Sequence, residues 1–380
     1  MFSRELIFNI LGSYPTKREA QAFLRNPFKT GLVSVSPGLS RSEIESLGRN
    51  LVQIQKLGVN PIVLCNTRVD THKRKAHWDE LETAFHLCEA IDQNNGYGKT
   101  LYNHIYHRKS MDELEDFKSG LEISLDPIKD SLATGKIPIL VPLVIADSKV
   151  KLRSSTITDL CRAIVQDQEL PTPRKFILIN KYGGVIFDKK HHGLINLSEE
   201  LPTLVNSDLP SLEAGQPIIE DILTISSILD ILPPTSSAIL ASANSSSQLI
   251  SNLITDKPIH SFENLNSPTL FRKGVSIKQI KFNEIDKKKL QALLEKSFGK
   301  KLRPEYWKRL ENVWHSIMIA GDYSGAIIVT NEKGVIYLDK FAVDPDSQGS
   351  GVADILWKSL KTNYVNMCWR SRVDNPVNKW

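Results

Sequence analysis

The sequence predicts an open α/β sandwich of parallel strands covered by helices, followed by a smaller α+β domain. Three observations carry this expectation. From Gly31 to about Ile259, apolar runs of strand length alternate with amphipathic stretches of helix length, the pattern of a parallel sheet with helices on its faces. Glycines follow two of the runs, at Gly38 and at Gly183 and Gly184, where an α/β domain places its ligand loops. After a polar stretch at 259–273 that contains Pro268, the rhythm changes to strands interrupted by a few helices. The boundaries are therefore set at 1–258 for the first domain, 259–273 for a linker and 274–380 for the second.

In the first domain the strand candidates are Leu32 to Val35, Asn60 to Cys65, Lys136 to Ile145 and Lys175 to Asn180. Helices are expected from Ser42 to Leu57, where Ile44, Leu47, Leu51, Ile54 and Leu57 recur at helical spacing, and from Ala76 to Ile91. The second domain reads as a strand at Val275 to Phe282, helices at Ile285 to Lys296 and Pro304 to Trp314, and a strand at Ser316 to Ala320. A hairpin of Ser324 to Thr330 with Gly334 to Val343 follows, turning at Asn331 to Gly334, and then a helix from about Val352 to Lys361 and a strand from Val365 to Arg372. Trp307 and Trp314, seven apart on a helix, are expected to pack the core.

Composition narrows the function classes. A chain of 380 residues with 41% hydrophobic and 24% charged residues holds a real core and is no disordered polyampholyte. Its net charge of +5 is too mild to imply nucleic-acid binding, so any basic site is local. Cys65, Cys88, Cys161 and Cys368 lack the paired spacing of zinc or redox motifs and read as reduced thiols. His191 and His192 are adjacent, point opposite ways on a strand and do not share a metal; His72 to Lys75 read as a solvated loop. No metal is expected. The longest apolar run, Ile137 to Ala146, holds two prolines and is far short of the ~20 residues a membrane span needs. The first 25 or so residues carry Arg4, Lys17, Arg18 and Arg25 against Glu5 and Glu19, which resembles a mitochondrial transit segment; an ordinary first helix is the other reading.

The chemistry concentrates at Tyr337 to Ala353 (YLDKFAVDPDSQGSGVA), where an apolar strand ends at Asp344 and Pro345 and Gln348, Gly349, Ser350, Gly351, Val352 and Ala353 open a helix. Small residues there admit a ligand to the backbone and leave N–H groups at the positive helix end, an anion site suited to pyrophosphate. A glycine turn that is mere punctuation is the plainer alternative. Arg370 and Arg372 are two apart on an expected strand and so share a face, and paired guanidinium groups suit carboxylates. Lys340 on the hairpin and Lys300 beyond a helix add point charges, unless all four simply form a solvated basic edge.

The pattern Gln348, Gly351, Ala353 resembles the acetyl-coenzyme A loop of the GCN5-related N-acetyltransferases. SFGKKLR (Ser297 to Arg303), YLDKFAV (Tyr337 to Val343) and WRSRVDNPVNKW (Trp369 to Trp380) are similar to the transferase domain of the N-acetylglutamate synthase family, fungal and vertebrate kind. KYGGVIFDKKHHGLINLSEEL (Lys181 to Leu201) resembles the amino-acid-kinase-like domain that precedes it in that family. The resemblance implies acetyl transfer from acetyl-coenzyme A to L-glutamate, the first step of arginine and ornithine biosynthesis. It implies that Lys300, Lys340, Phe341, Arg370 and Asn375 contact glutamate or its product, with Arg372 added from the strand argument. Phe341, Ala342 and Val343 would hold the pantetheine, Gln348 to Ala353 the pyrophosphate, and Asn375 the amine or the water that deprotonates it.

The same resemblance implies a mitochondrial matrix location, L-arginine as feedback inhibitor through the first domain, homo-oligomers and association with acetylglutamate kinase. The stretch from Gly274 is shorter than the ~150 residues of such a domain, so its last strands and a tyrosine after the final tryptophan are expected to be missing and its stability to be poor. The first strand turn, Val33 to Gly38, has no lysine for transferring phosphate, so no kinase activity is expected. Two rivals stay open: a catalytically inactive regulatory subunit binding arginine or a partner kinase, and an acetyltransferase for another amine, such as a protein lysine.

Overall fold

The computed structural model describes residues 30–65, 75–102, 106–108, 121–141, 143–146, 149–152, 156–187, 190–206, 218–244, 250, 267–347 and 351–371. The chain divides into two compact units, Met1–Lys273 and Gly274–Trp380. In the first, the order is β1 (Thr30–Val35), α1 (Arg41–Lys56), β2 (Asn60–Cys65), α2 (Lys75–Gln93), β3 (Gly98–Leu101), β4 (Tyr106–Arg108), β5 (Leu121–Ile123), α3 (Asp126–Ala133), β6 (Ile137–Leu140), β7 (Leu143–Ala146) and β8 (Lys149–Leu152). It continues with α4 (Thr156–Gln166), β9 (Lys175–Asn180), β10 (Ile186–Phe187), β11 (Lys190–His191), β12 (Leu194–Asn196), α5 (Leu197–Asn206), α6 (Ile218–Ile231), β13 (Ser237–Ser242) and β14 (Thr269–Arg272).

An eight-stranded sheet runs β12-β14-β13-β9-β1-β2-β6-β3, beside a four-stranded sheet β5-β4-β7-β8 and the small pair β10-β11. In the large sheet β1 lies parallel to β2 on one side and to β9 on the other. The strands that follow in the chain are laid first on one side of β1 and later on the other, which makes its carboxyl end the switch point of the sheet. The strands are mostly apolar and buried: Leu32, Ile62, Leu64, Leu140, Phe176 and Leu178 join one core with residues of α4 and α6. Helix α1 starts on a capping box, with the Ser40 N–H donating 2.7 Å to Glu43 Oε2.

Two sequence expectations are corrected here. The stretch from Lys136 to Ile145 is not one strand: β6 belongs to the large sheet and β7 to the four-stranded one, with Pro142, which has no N–H for a ladder, between them. The linker expected at 259–273 ends in a core strand, because β14 is fully buried between β12 and β13. Its polar side chains find partners inside. Thr269 Oγ1 donates to the His192 carbonyl at 2.7 Å and accepts from Val185 N–H at 2.7 Å, and Arg272 Nη1 donates to the Thr235 carbonyl at 3.2 Å. Polarity in the sequence thus concealed a strand whose polar side chains bond inside, the buried Arg272 Nε excepted.

The second unit contains β15 (Ile277–Ile280), α7 (Lys287–Phe298), α8 (Tyr306–Val313), β16 (Trp314–Ala320), β17 (Gly325–Glu332), β18 (Val335–Val343), α9 (Val352–Asn363) and β19 (Cys368–Trp369). Its sheet runs in sequence order, antiparallel from β15 to β18, with β19 parallel to β18. Asp286 caps α7, its carboxylate accepting from Lys288 and Lys289 N–H at 3.0 Å each, and Leu290, Leu293 and Leu294 bury the inner face. The β17–β18 hairpin turns at Lys333 and Gly334, whose positive φ values of 53° and 90° suit a two-residue loop that follows the strand twist. The core gathers Ile317, Ile319, Ala326, Ile328 and Ala342 against α7 and α8, with Trp307 and Trp314 half-buried beside it. The strand expected from Val365 to Arg372 is shorter: Val365 is 93% exposed and the described pairing covers only Cys368 and Trp369.

Candidate active site

Strand β18 carries the site, and a register shift shapes it. Val329 faces Leu338 while Ile328 faces Lys340, so Asp339 is an extra residue on β18, a β-bulge. Regular pleating would send the side chains of Asp339 and Lys340 to opposite faces. Instead, Lys340 Nζ lies 2.9 Å from Asp339 Oδ2 and donates to the Asp339 carbonyl at 3.2 Å. The Asp339 side chain is only 6% exposed and also accepts from Tyr306 Oη at 2.8 Å and from Arg309 Nη1 at 3.2 Å. Arg309 in turn pairs with Glu332, and the Lys340 ammonium stands 5.1 Å from the centre of the Tyr306 ring.

Burial pushes the Asp339 carboxyl up, but its bonds to Lys340, Tyr306 and Arg309 outweigh that and hold it below the usual carboxylate range. Burial, reinforced by the Asp339 charge, raises the Tyr306 phenol, which stays protonated as a donor.

On its other side β18 pairs in parallel with β19 only at Tyr337 with Cys368 and Leu338 with Trp369. Pairing with β17 meanwhile continues to Val343. Among the described residues the two parallel strands thus share no ladder past Leu338. Arg370 follows the last pair, at the level where Asp339 and Lys340 lie on the neighbouring strand, with an exposed side chain. Aromatic rings line this point: Trp357 of α9 meets Phe341 and Trp369 edge to face, each with ring centres 5.9 Å apart.

Helix α9 begins beside the same sheet. Its first cap, Gly351, sits at φ 78°, a left-handed conformation that favours glycine, and supplies no side-chain cap. Gly325 on β17 allows the helix to lie close. A Cβ there would stand 2.7 Å from both Val352 Cγ1 and Leu356 Cδ1 and 3.3 Å from the Ala342 carbonyl. Lys296 of α7 holds the segment leading to the helix, with Nζ 2.7 Å from Asp344 Oδ1 and 2.7 Å from Asp346 Oδ2. The Lys296 ammonium and the Asp346 N–H keep the Asp344 carboxyl below its usual range.

The residues singled out in sequence fall as follows. Lys340, Phe341, Ala342 and Val343 lie on β18, Gly351 to Ala353 at the start of α9, and Arg370 just after β19. Lys300 is exposed, two residues beyond α7, and has no described contact to Lys340. Gln348, Gly349, Ser350, Arg372 and Asn375 lie outside the described residues, as does His72 to Arg74. Sequence reading missed Tyr306, Arg309, Trp357 and Lys296. An acid set in a largely apolar strand, Asp339, was the available signal for the first two. Among the described residues no group of His, Cys, Asp and Glu is placed to hold a metal ion, and no helix is long and apolar enough to cross a membrane.

The fold and site together define an α/β unit built on a largely parallel sheet, followed by a smaller unit that carries the site and matches an N-acetyltransferase domain. Residues 275–380 match the family described as NAT, N-acetyltransferase, of N-acetylglutamate synthase. The mitochondrial amino-acid acetyltransferase of Coprinopsis cinerea is 31% identical over 93% of this chain and 69% of that protein. The mitochondrial N-acetylglutamate synthase of Danio rerio is 30% identical over 96% of this chain and 70% of that one. An acetylglutamate kinase of Xanthomonas campestris is 27% identical over 91% of this chain and 84% of its own length. Among solved structures, carbamate kinase from Giardia lamblia aligns with 65% of this chain and 99% of its own at 9% identity and a TM-score of 0.43. The chain belongs to the N-acetylglutamate synthase family.

Proposed function

We propose that this protein is an amino-acid N-acetyltransferase that converts acetyl-coenzyme A and L-glutamate to N-acetyl-L-glutamate and coenzyme A, the entry to arginine and ornithine biosynthesis. The observation that carries the reading is that, among the described residues, the β18–β19 ladder stops at Leu338, while α9 starts without a side-chain cap by the far end of β18, in a member of this family. A strand edge that leaves its partner gives the pantetheine amides backbone groups to bond, along Phe341 to Val343. A helix start without a side-chain cap gives the pyrophosphate N–H groups and a positive dipole end, at Gln348 to Ala353.

The reaction needs no covalent enzyme intermediate. The glutamate ammonium loses a proton to water held by Asn375, the free amine attacks the thioester carbonyl and the C–N bond forms; the nitrogen then gives up its second proton as the C–S bond breaks, and the departing thiolate takes up a proton. Backbone N–H groups near Phe341 polarise the carbonyl as negative charge develops on its oxygen. Lys300, Lys340, Arg370 and Arg372 receive the two carboxylates of glutamate, which a neutral pocket would have to desolvate without recompense.

The first domain, 1–258, serves regulation in this reading. Its first strand turn has no lysine, and the start of α1 is already occupied by the Glu43 carboxylate, which accepts from Ser40 N–H at 2.7 Å and Ser40 Oγ at 2.8 Å. A carboxylate at that helix end repels a phosphate. L-arginine binding to this domain would inhibit by favouring a state with lower affinity for substrate. Relatives named mitochondrial support a matrix location reached through a transit segment at about 1–25, and homo-oligomers and a complex with acetylglutamate kinase complete the proposal.

Product identification tests it. Incubated with acetyl-coenzyme A and a mixture of amino acids, the protein is expected to yield N-acetylglutamate as the dominant acetylated species by mass spectrometry. Acetylation of another amine in preference to glutamate would refute the assignment.

A further inference from the structure

We infer that Asp339, held by Tyr306 and Arg309, is a positioning residue that aims the Lys340 ammonium at a substrate carboxylate and so sets glutamate affinity. The inference rests on the function proposed above. Lysine has three N–H donors. Two of those on Lys340 are taken by the Asp339 carboxylate and carbonyl, at 2.9 and 3.2 Å, which leaves one for a ligand. The ammonium is fixed on a third side by the Tyr306 ring, 5.1 Å away, so a flexible four-carbon chain is reduced to a single direction.

Asp339 is itself over-determined. As the extra residue of the bulge it shares no register pair with β17, and its side chain is buried to 6% exposure with Tyr306, Arg309 and Lys340 converging on it. The charges of Asp339 and Glu332 balance those of Lys340 and Arg309, so the cluster is neutral as it stands. An arriving carboxylate therefore meets a donor that is partly buried and already oriented, the arrangement that lowers the cost of binding. An aspartate whose only task was to neutralise Lys340 would not need Arg309 and Tyr306 as well. Bulges beside reacting groups re-aim side chains in this way.

The test compares the wild-type chain with Asp339→Asn and Tyr306→Phe, by calorimetric titration of L-glutamate and by steady-state kinetics in both substrates. Asp339→Asn is expected to weaken glutamate binding and raise its KM about tenfold, the effect of losing one charge-assisted bond, with the KM for acetyl-coenzyme A within about twofold of wild type. Tyr306→Phe keeps the ring under Lys340 and removes one bond to Asp339, so a smaller shift in the same direction is expected from it. It carries the test if Asp339→Asn melts early. Wild-type binding of glutamate with equal affinity in a folded variant would overturn the inference alone. A wild-type chain that neither binds glutamate nor acetylates it would contradict both the inference and the proposed function.

Discussion

Asp339 is a charge in a strand that burial would otherwise make apolar, and three donors keep it ionised. Its folded pKa is lowered, so its contribution to stability is complete above the unfolded value near pH 4 and is lost as the pH falls through the folded value. The difference in melting temperature between wild type and Asp339→Asn is therefore expected to narrow as the pH is taken from about 6 to about 2, measured by circular dichroism. A difference that widened in acid would contradict the assignment. Arg370 lies exposed just past the last β19 pair, level with the bulge. Arg370→Ala should raise the KM for glutamate by about tenfold or more and leave folding unchanged; a harmless change would favour an amine substrate with no carboxylates. Basic residues were legible at this scale because a charge on a strand stands out in sequence. Their partners were not, since Tyr306 and Arg309 are separated from Asp339 by two strands and meet it only through the sheet order.

The pairing of α9 with β17 makes the helix start a fixed feature. Gly325→Val would force a branched side chain against Val352 and Leu356, costing about 1 to 3 kcal/mol by overpacking. The expected result is a lower melting temperature together with a raised KM for acetyl-coenzyme A, and a variant with wild-type kinetics would show that the helix start does not bind it. Lys296→Ala removes both bonds to the segment entering that helix. Weaker acetyl-coenzyme A binding with an unchanged melting temperature is the outcome to look for by titration calorimetry, since both partners are solvated. Most elements could be read from the sequence: apolar period placed α1, and an Asn-to-Gly turn placed the hairpin. What failed was the reading of sheet membership. Nothing local in Ile137 to Ala146 says that its halves enter different sheets, and nothing local in Thr269 to Arg272 says that its polar groups have buried partners. The bulge at Asp339 is likewise a property of two strands in register, invisible in either alone.

At the scale of the molecule the chain carries two units, each with its own core and each with a separate candidate task. The first is expected to transfer no phosphate: with ATP and N-acetylglutamate it should release no ADP above background, whereas measurable release would mean that the Glu43-capped helix start still admits a nucleotide. Family membership joins the two tasks, and the central claim is that the second unit acetylates glutamate. The most direct test follows free thiol released from acetyl-coenzyme A by this chain, with and without L-glutamate. The account predicts release that depends on glutamate and saturates with it. Release indifferent to glutamate, or none at all, would contradict it.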